Sequence, residues 1–302
     1  MLSPTRSTPR AERPRRIGAG GHPRGRRWGL VAASTAGVLA LAGCTSDSPA
    51  ATADGDVALE HVHGLAVDPA DGELYAGTHY GLVRVSSDGQ LTRIADRVQD
   101  FMGFTVVGPE HYLASGHPGE GESGPGNLGL IESTDGGQTW TTLSLAGDAD
   151  FHALDAAQGV VYGYSGGRLM VSDDKTDWTD LGAMGIADLA VDPSQPDRLL
   201  LTTEQGLAVS QDGGRTVAPL AGAPLLQLVA WSPDGTVVVG VAPDGAVHAS
   251  TDGGRTWTER GSVDGAPEAL GVHGQNVYVA VEGAIVSSTD GGAAFNDLYR
   301  GT

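Results

Sequence analysis

Five histidines of this chain arrive in short motifs beside other side chains that bind metals. His61 and His63 form a His-x-His pair, Asp100 and Met102 an Asp-x-Met pair, and Asp150 and His152 an Asp-x-His pair. His79 and His117 sit in the turns Gly77-Thr-His79-Tyr80-Gly81 and Ser115-Gly-His117-Pro118-Gly119. Imidazoles together with a thioether suit a copper ion, and carboxylates in the same place would also admit zinc. His61, His63, His79, Met102, His117 and His152 are therefore candidate ligands for copper or zinc. A different chemistry is open to the acids: two carboxyls at a suitable separation hydrolyse a glycosidic bond, and Asp100, Asp150 and Glu268 are candidates for that pair. His111, His248 and His273 fall on other strands or turns and take a structural reading.

These motifs are spread over about 90 residues, so only a fold that keeps returning to one face can join them. A period near 40 residues runs through the chain. Its clearest copies are Ser133-Thr-Asp135-Gly-Gly137-Gln-Thr139-Trp140 and Ser250-Thr-Asp252-Gly-Gly254-Arg-Thr256-Trp257. Weaker copies surround Asp212 and Asp290, and degenerate ones surround Asp88 and Asp173, with Lys175 in a glycine position after the latter. The six aspartates 88, 135, 173, 212, 252 and 290 are separated by 47, 38, 39, 40 and 38 residues. Between them, alternating apolar residues and Gly/Pro/Asp turns mark four short strands per unit, for example 63–68, 74–78, 82–86 and 91–94 in the first. Four antiparallel strands repeated six times predict an all-β, six-bladed β-propeller over residues 57–302. No helix is expected there.

The repeated segments resemble the Asp-box (BNR) repeat, S-x-D-x-G-x-T-W, of sialidases, sortilin-like receptors and photosystem assembly propellers. The physical logic agrees: the Asp accepts hydrogen bonds from its own tight turn, the Gly supplies a φ that other residues take at a cost, and the aromatic packs back between blades. In those families the box is structural, so Asp88, Asp135, Asp173, Asp212, Asp252 and Asp290 are given that role. The resemblance also implies glycosyl hydrolase activity, but a sialidase needs an arginine triad. Here the nearest approach to its Arg-Ile-Pro segment is Arg93-Ile94-Ala95. Arg215 and Arg255 lie inside boxes, and Arg168 alone is expected near the histidine face. The reading therefore leans away from an enzyme.

In a propeller the inner strands start, and the second strands end, on one face, while the boxes lie on the other. Aligning the six inner-strand starts gives His63, Met102, His152, Ala187, Gln227 and Glu268, preceded two residues earlier by His61, Asp100, Asp150, Gly185, Leu225 and Ala266. His79 and His117 end second strands on the same face, so five histidines, Met102 and two carboxylates converge on blades 1–3. The Gly/Pro/Glu-rich stretch from His117 to Asn127 is a candidate lid there. This face is the expected site for a metal ion, small ligand, glycan or protein partner, and an assembly or scaffold role stands as an alternative.

The N-terminus reads as an address. Arg24, Arg26 and Arg27 precede an apolar stretch from Trp28 to Ala42, too short and too rich in Ala and Gly for a membrane span. It ends in Leu41-Ala42-Gly43-Cys44, which resembles a bacterial lipobox. The resemblance implies a signal peptide over 1–43, a lipid on Cys44, a tether over 44–56, and a location outside the cytoplasm, anchored to the cell membrane. Cys44 is the only cysteine, which excludes disulfides. The chain has 18 basic and 37 acidic residues; removing 1–43, with eight basic residues and one acid, leaves 10 and 36, a net of −26. Phosphate backbones would repel such a body, so no nucleic-acid partner is expected.

Overall fold

The computed structural model describes Val57 and residues 59–301. The expected leader, Cys44 and most of the tether lie outside the described residues. The rest is six four-stranded antiparallel sheets, each with its strands hydrogen-bonded in chain order. The blades run Val62–Arg93, Asp100–Ser144, Ala153–Ala183, Ile186–Pro219, Leu228–Ser262 and Pro267–Arg300. Each inner strand packs on the inner strand of the next blade, and that of blade 6 packs on that of blade 1. The protein is a six-bladed β-propeller, and no helix occurs among the described residues.

Burial follows the strand order within a blade. Second strands such as Leu74–Thr78 and Val238–Val241 are buried along their whole length because neighbouring blades cover both faces. Outer strands such as Thr258–Ser262 are mostly exposed and carry polar residues. The core is therefore not one central mass but the set of seams between blades, as where Tyr112, Phe101 and Phe104 of blade 2 pack on Tyr75 and Leu82 of blade 1.

The turn between third and outer strands follows the expected hydrogen-bond scheme. Asp135 Oδ1 accepts from Ser133 Oγ (2.8 Å) and Thr139 N (2.9 Å), and Oδ2 accepts from Thr139 Oγ1 (2.6 Å). Asp212 and Asp252 repeat the three contacts with Ser210 and Thr216, and with Ser250 and Thr256. Gly137 sits at φ 85°, and a Cβ there would collide with Leu82 of the preceding blade, so both conformation and packing demand glycine. Blade 3 departs from the expectation: the acid that accepts from Ser172 Oγ, Thr176 N and Asp177 N is Asp174, not Asp173. The turn is one residue shorter than in blade 2, and Lys175, at φ 67°, takes the left-handed position that follows the acid. Counting from the serine rather than the tryptophan gives the correct register.

The ring closes without sharing strands. Blade 6 owns all four of its strands, and Glu268 Oε2 accepts a hydrogen bond from Val62 N of blade 1 (3.2 Å). Leu59, just before blade 1, is buried against Ala269, Ala280 and Ile285 of blade 6. Similar polar clamps join other blades. Asp155 Oδ2 of blade 3 accepts from Val191 N (2.8 Å), Asp188 Oδ2 of blade 4 from Val229 N (2.9 Å), and Gln227 Nε2 donates to Pro267 O (2.8 Å).

Candidate metal centre

A local irregularity aims the site. In the ladders between inner and second strands of blades 1, 2, 4 and 6, the register shifts near the start of the inner strand, at His63, Met102, Ala187 and Glu268, respectively. In blades 3 and 5, His152 N and Gln227 N donate to Tyr164 O and Val241 O, carbonyls of residues that also face Ala153 and Leu228. The aligned position is thus the extra residue of a bulge, or its equivalent, all round the ring. A bulge breaks the alternation of the strand and re-aims a side chain. Here His63, His152, Ala187, Gln227 and Glu268 line a central cavity of 560 Å³, together with Asp155 and Asp188 deeper in.

The five expected histidine ligands divide into two groups on neighbouring seams. At the seam of blades 1 and 2, donor atoms of His63, His79 and Asp100 all lie within 4.8 Å of one another. His63 comes from the bulge, His79 from the turn after the second strand of blade 1 (Leu74–Thr78), and Asp100 from the first position of the inner strand of blade 2 (Asp100–Gly108). Buried Thr78 fixes that turn, its Oγ1 donating to Gly81 O and accepting from Tyr80 N. His61, at φ 47°, sits outside the strand, with its ring 5.1 Å from that of His79; the His63 and His79 rings are 4.8 Å apart. Asp100 was expected among the acids of this corner rather than among the ligands.

The electrostatics of this trio favour a cation. His63 Nε2 and Asp100 Oδ1 are both buried without a hydrogen-bond partner. Burial, then His79, His152 and His61, push the His63 imidazole down to about 4, so at neutral pH it is uncharged and presents a lone pair. His79 Nδ1 and Asp100 Oδ1 are 3.6 Å apart, too far for a good hydrogen bond. That separation is close to the edge of a tetrahedron of N and O ligands around zinc, roughly 3.4 Å for bonds of about 2.1 Å. The residues present fit a borderline divalent ion.

At the seam of blades 2 and 3, Asp150 Oδ2 lies 2.9 Å from His152 Nε2 and 3.3 Å from His117 Nε2. Asp150 Oδ1 is buried without a partner. Met102 is half-buried on the bulge of blade 2. Most of the expected lid, His117 to Asn127, falls in the 118–129 loop, which is tied down by His117 Nδ1 to Gly126 O (2.8 Å) and by an Arg97–Glu122 ion pair.

Other candidates are engaged elsewhere. Glu268 clamps the ring through Val62 N. His111 pairs with Glu132 (2.8 Å), and Arg168 with Asp180 (2.6 Å). Sequence reading missed the channel acids Asp155 and Asp188. Burial lifts them to about 6 and about 7 against the hydrogen bonds they accept. Each is a single charge between apolar neighbours in a strand, the one signal that pointed to a buried, partnered acid.

The chain matches no protein-family model and no curated protein. Among solved structures it is similar to the GH74 xyloglucanase of Xanthomonas campestris, at 19% identity and a TM-score of 0.54 over 80% of this chain and 45% of that one. It is also similar to an ancestral GH74 enzyme, at 15% identity and a TM-score of 0.51 over 76% and 36%. YCF48 bound to a D1 peptide aligns at 17% identity and a TM-score of 0.49 over 80% and 84%. The chain spans less than half the length of both GH74 structures. At these identities the likeness is one of fold: this chain shares the β-propeller architecture.

Proposed function

We propose that this protein is an exported, lipid-anchored Asp-box propeller that binds a copper or zinc ion through His63, His79 and Asp100, with His61 alongside. The observation that carries the reading is the pair of buried, unpartnered atoms, His63 Nε2 and Asp100 Oδ1, gathered with His79 into one space. Leaving either atom without a partner costs on the order of 1–3 kcal/mol, and an ion would satisfy both. The repeated Ser–Asp–Thr turns support the Asp-box grouping, and the lipobox-like Cys44 supports the anchor. Glycoside hydrolysis by a pair among Asp100, Asp150 and Glu268 is less supported, because Asp150 and Glu268 are held by two imidazoles and by Val62 N. Nothing specific on the molecule favours a scaffold role over ligand binding.

The test is metal content by mass spectrometry of the domain without Cys44, purified untagged and re-exposed to copper or zinc. Near-stoichiometric metal lost in both His63→Ala and His79→Ala is the expected result. Metal content unchanged in both variants overturns the reading. For the anchor, Cys44→Ser should move the full chain from the membrane to the soluble fraction.

A further inference from the structure

We infer that the central channel binds a linear aliphatic diamine or polyamine, its ammonium groups held by the carboxylates of Asp155 and Asp188. The site goes beyond the metal centre and shares neither acid with it.

The cavity carries the first half of the argument. Its 560 Å³ suits a small organic ligand, and all six inner strands line it, from the bulge residues at one end to Gln158, Pro193 and Pro233 at the other. Its wall carries three acids, Asp155, Asp188 and Glu268, and among the described residues no Lys or Arg lines it. His63, at one end, is uncharged at neutral pH. Asp155 and Asp188 are half-buried, so both keep contact with the channel. Counted from the bulge residue of each blade, the place of Asp155 is taken elsewhere in the ring by Ala, Thr or Gly, and that of Asp188 by Gly, Ala or Leu. At each place the other five blades do without an acid, so the architecture does not demand one.

The spacing of the two acids carries the second half. Asp188 Oδ1 accepts from Leu189 N and Asp155 Oδ2 from Val191 N, both at 2.8 Å. These N–H groups lie on one edge of the inner strand of blade 4, two residues and therefore about 6.6 Å apart. The carboxyl groups that cap them are separated by a similar distance. That is too far to share one metal ion, and neither acid belongs to the donor trio that could. Two charges set apart along a channel match a cation whose own charges are set apart, an ammonium group at each end of a methylene chain. The hydrogen bonds leave the negative charge unanswered: burial lifts Asp155 to about 6 and Asp188 to about 7 in spite of them, and Asp155 raises Asp188 further. The ammonium groups supply the missing countercharge, each through a charge-assisted hydrogen bond in a space of low dielectric. The net charge of −26 on the body draws such a cation in.

Calorimetry tests the site. The domain without Cys44, stripped of metal, is titrated with 1,4-diaminobutane, with spermidine and, as the single-charge comparison, with butylamine. The same titrations are made on Asp155→Asn and Asp188→Asn, whose folding is checked by circular dichroism. The expected result is one diamine or polyamine per wild-type chain, with butylamine weaker, and each variant weaker, by at least about tenfold. Aliphatic ammonium groups stay charged to about pH 10, whereas the two acids must ionise to hold them. Binding near pH 6 therefore releases protons, read as a heat that depends on the buffer, and affinity rises from about pH 5 to about pH 8. The other titratable groups on the wall, Glu268, His63 and His152, are intact in Asp188→Asn, so loss of most of the proton release in that variant assigns it to the acid. Equal affinity for diamine and butylamine, or affinity unchanged in both variants, overturns the site. So does the absence of heat and of any Tm shift at millimolar amine. Should either variant fail to fold, the wild-type preference for the diamine and its proton release decide. Metal content of the two variants stays at the wild-type value, so failure of either reading leaves the other standing.

Discussion

Asp188 is the residue through which the propeller's interior is most directly tested. Its carboxylate accepts from Val229 N across the blade seam and from Leu189 N (2.8 Å), yet burial lifts its pKa from 3.8 to about 7. The folded protein thus holds the proton more tightly than the unfolded chain does, so stability falls as pH rises between about 4 and 7. The full shift is worth about 4 kcal/mol at about 1.4 kcal/mol per pH unit. Roughly 1 kcal/mol of that has already been lost at pH 4.5, which leaves a window of about 3 kcal/mol. Asp188→Asn is a permanent imitation of the protonated acid. It loses one acceptor for a backbone N–H at every pH, a constant offset of about 1–3 kcal/mol, but never bears the charge. Urea unfolding of wild type and variant, in chelator to exclude metal, should give a stability difference that moves toward the variant by up to about 3 kcal/mol from pH 4.5 to pH 8. Parallel curves that keep the same offset throughout would refute the reasoning, because Asp188 would then be ionised in the native channel at no cost.

Two other perturbations probe what closes and spaces the ring. Glu268→Ala removes the acceptor for Val62 N at the seam between the last and first blades and should destabilise the fold by about 1–2 kcal/mol, whereas Glu268→Gln keeps that acceptor and should stay close to wild type by thermal melting. Equal losses in both variants would mean that the negative charge, not the hydrogen bond, holds the seam. Gly137→Ala combines a left-handed φ of 85° with a collision against Leu82 and should cost at least about 1–2 kcal/mol, while Gly159→Ala, at a similar φ of 88° but in open space, isolates the backbone share.

The sequence by itself determined the architecture, because a propeller is written locally. Each blade repeats its own strands and turn, and the Ser-x-Asp-x-Gly segments recur at a nearly constant interval, so six blades could be counted without any long-range contact. The same local logic set the face to which His61, His63, His79, His117 and His152 belong. It slipped only at Asp173, where a turn shorter by one residue carried the role to Asp174. Tertiary structure decided the rest. Whether a ladder carries a bulge depends on the pairing strand and the neighbouring blade, and it is the bulge that turns His63 toward the channel. Residues on adjacent inner strands are joined or separated by the seam between blades, which no single repeat encodes. That is why the five histidines of one expected cluster became two groups, one around Asp100 and one around Asp150. The closure through Glu268 and Val62, 206 residues apart, was likewise set by the ring as a whole, since only the summed rotation of six blades brings those two together.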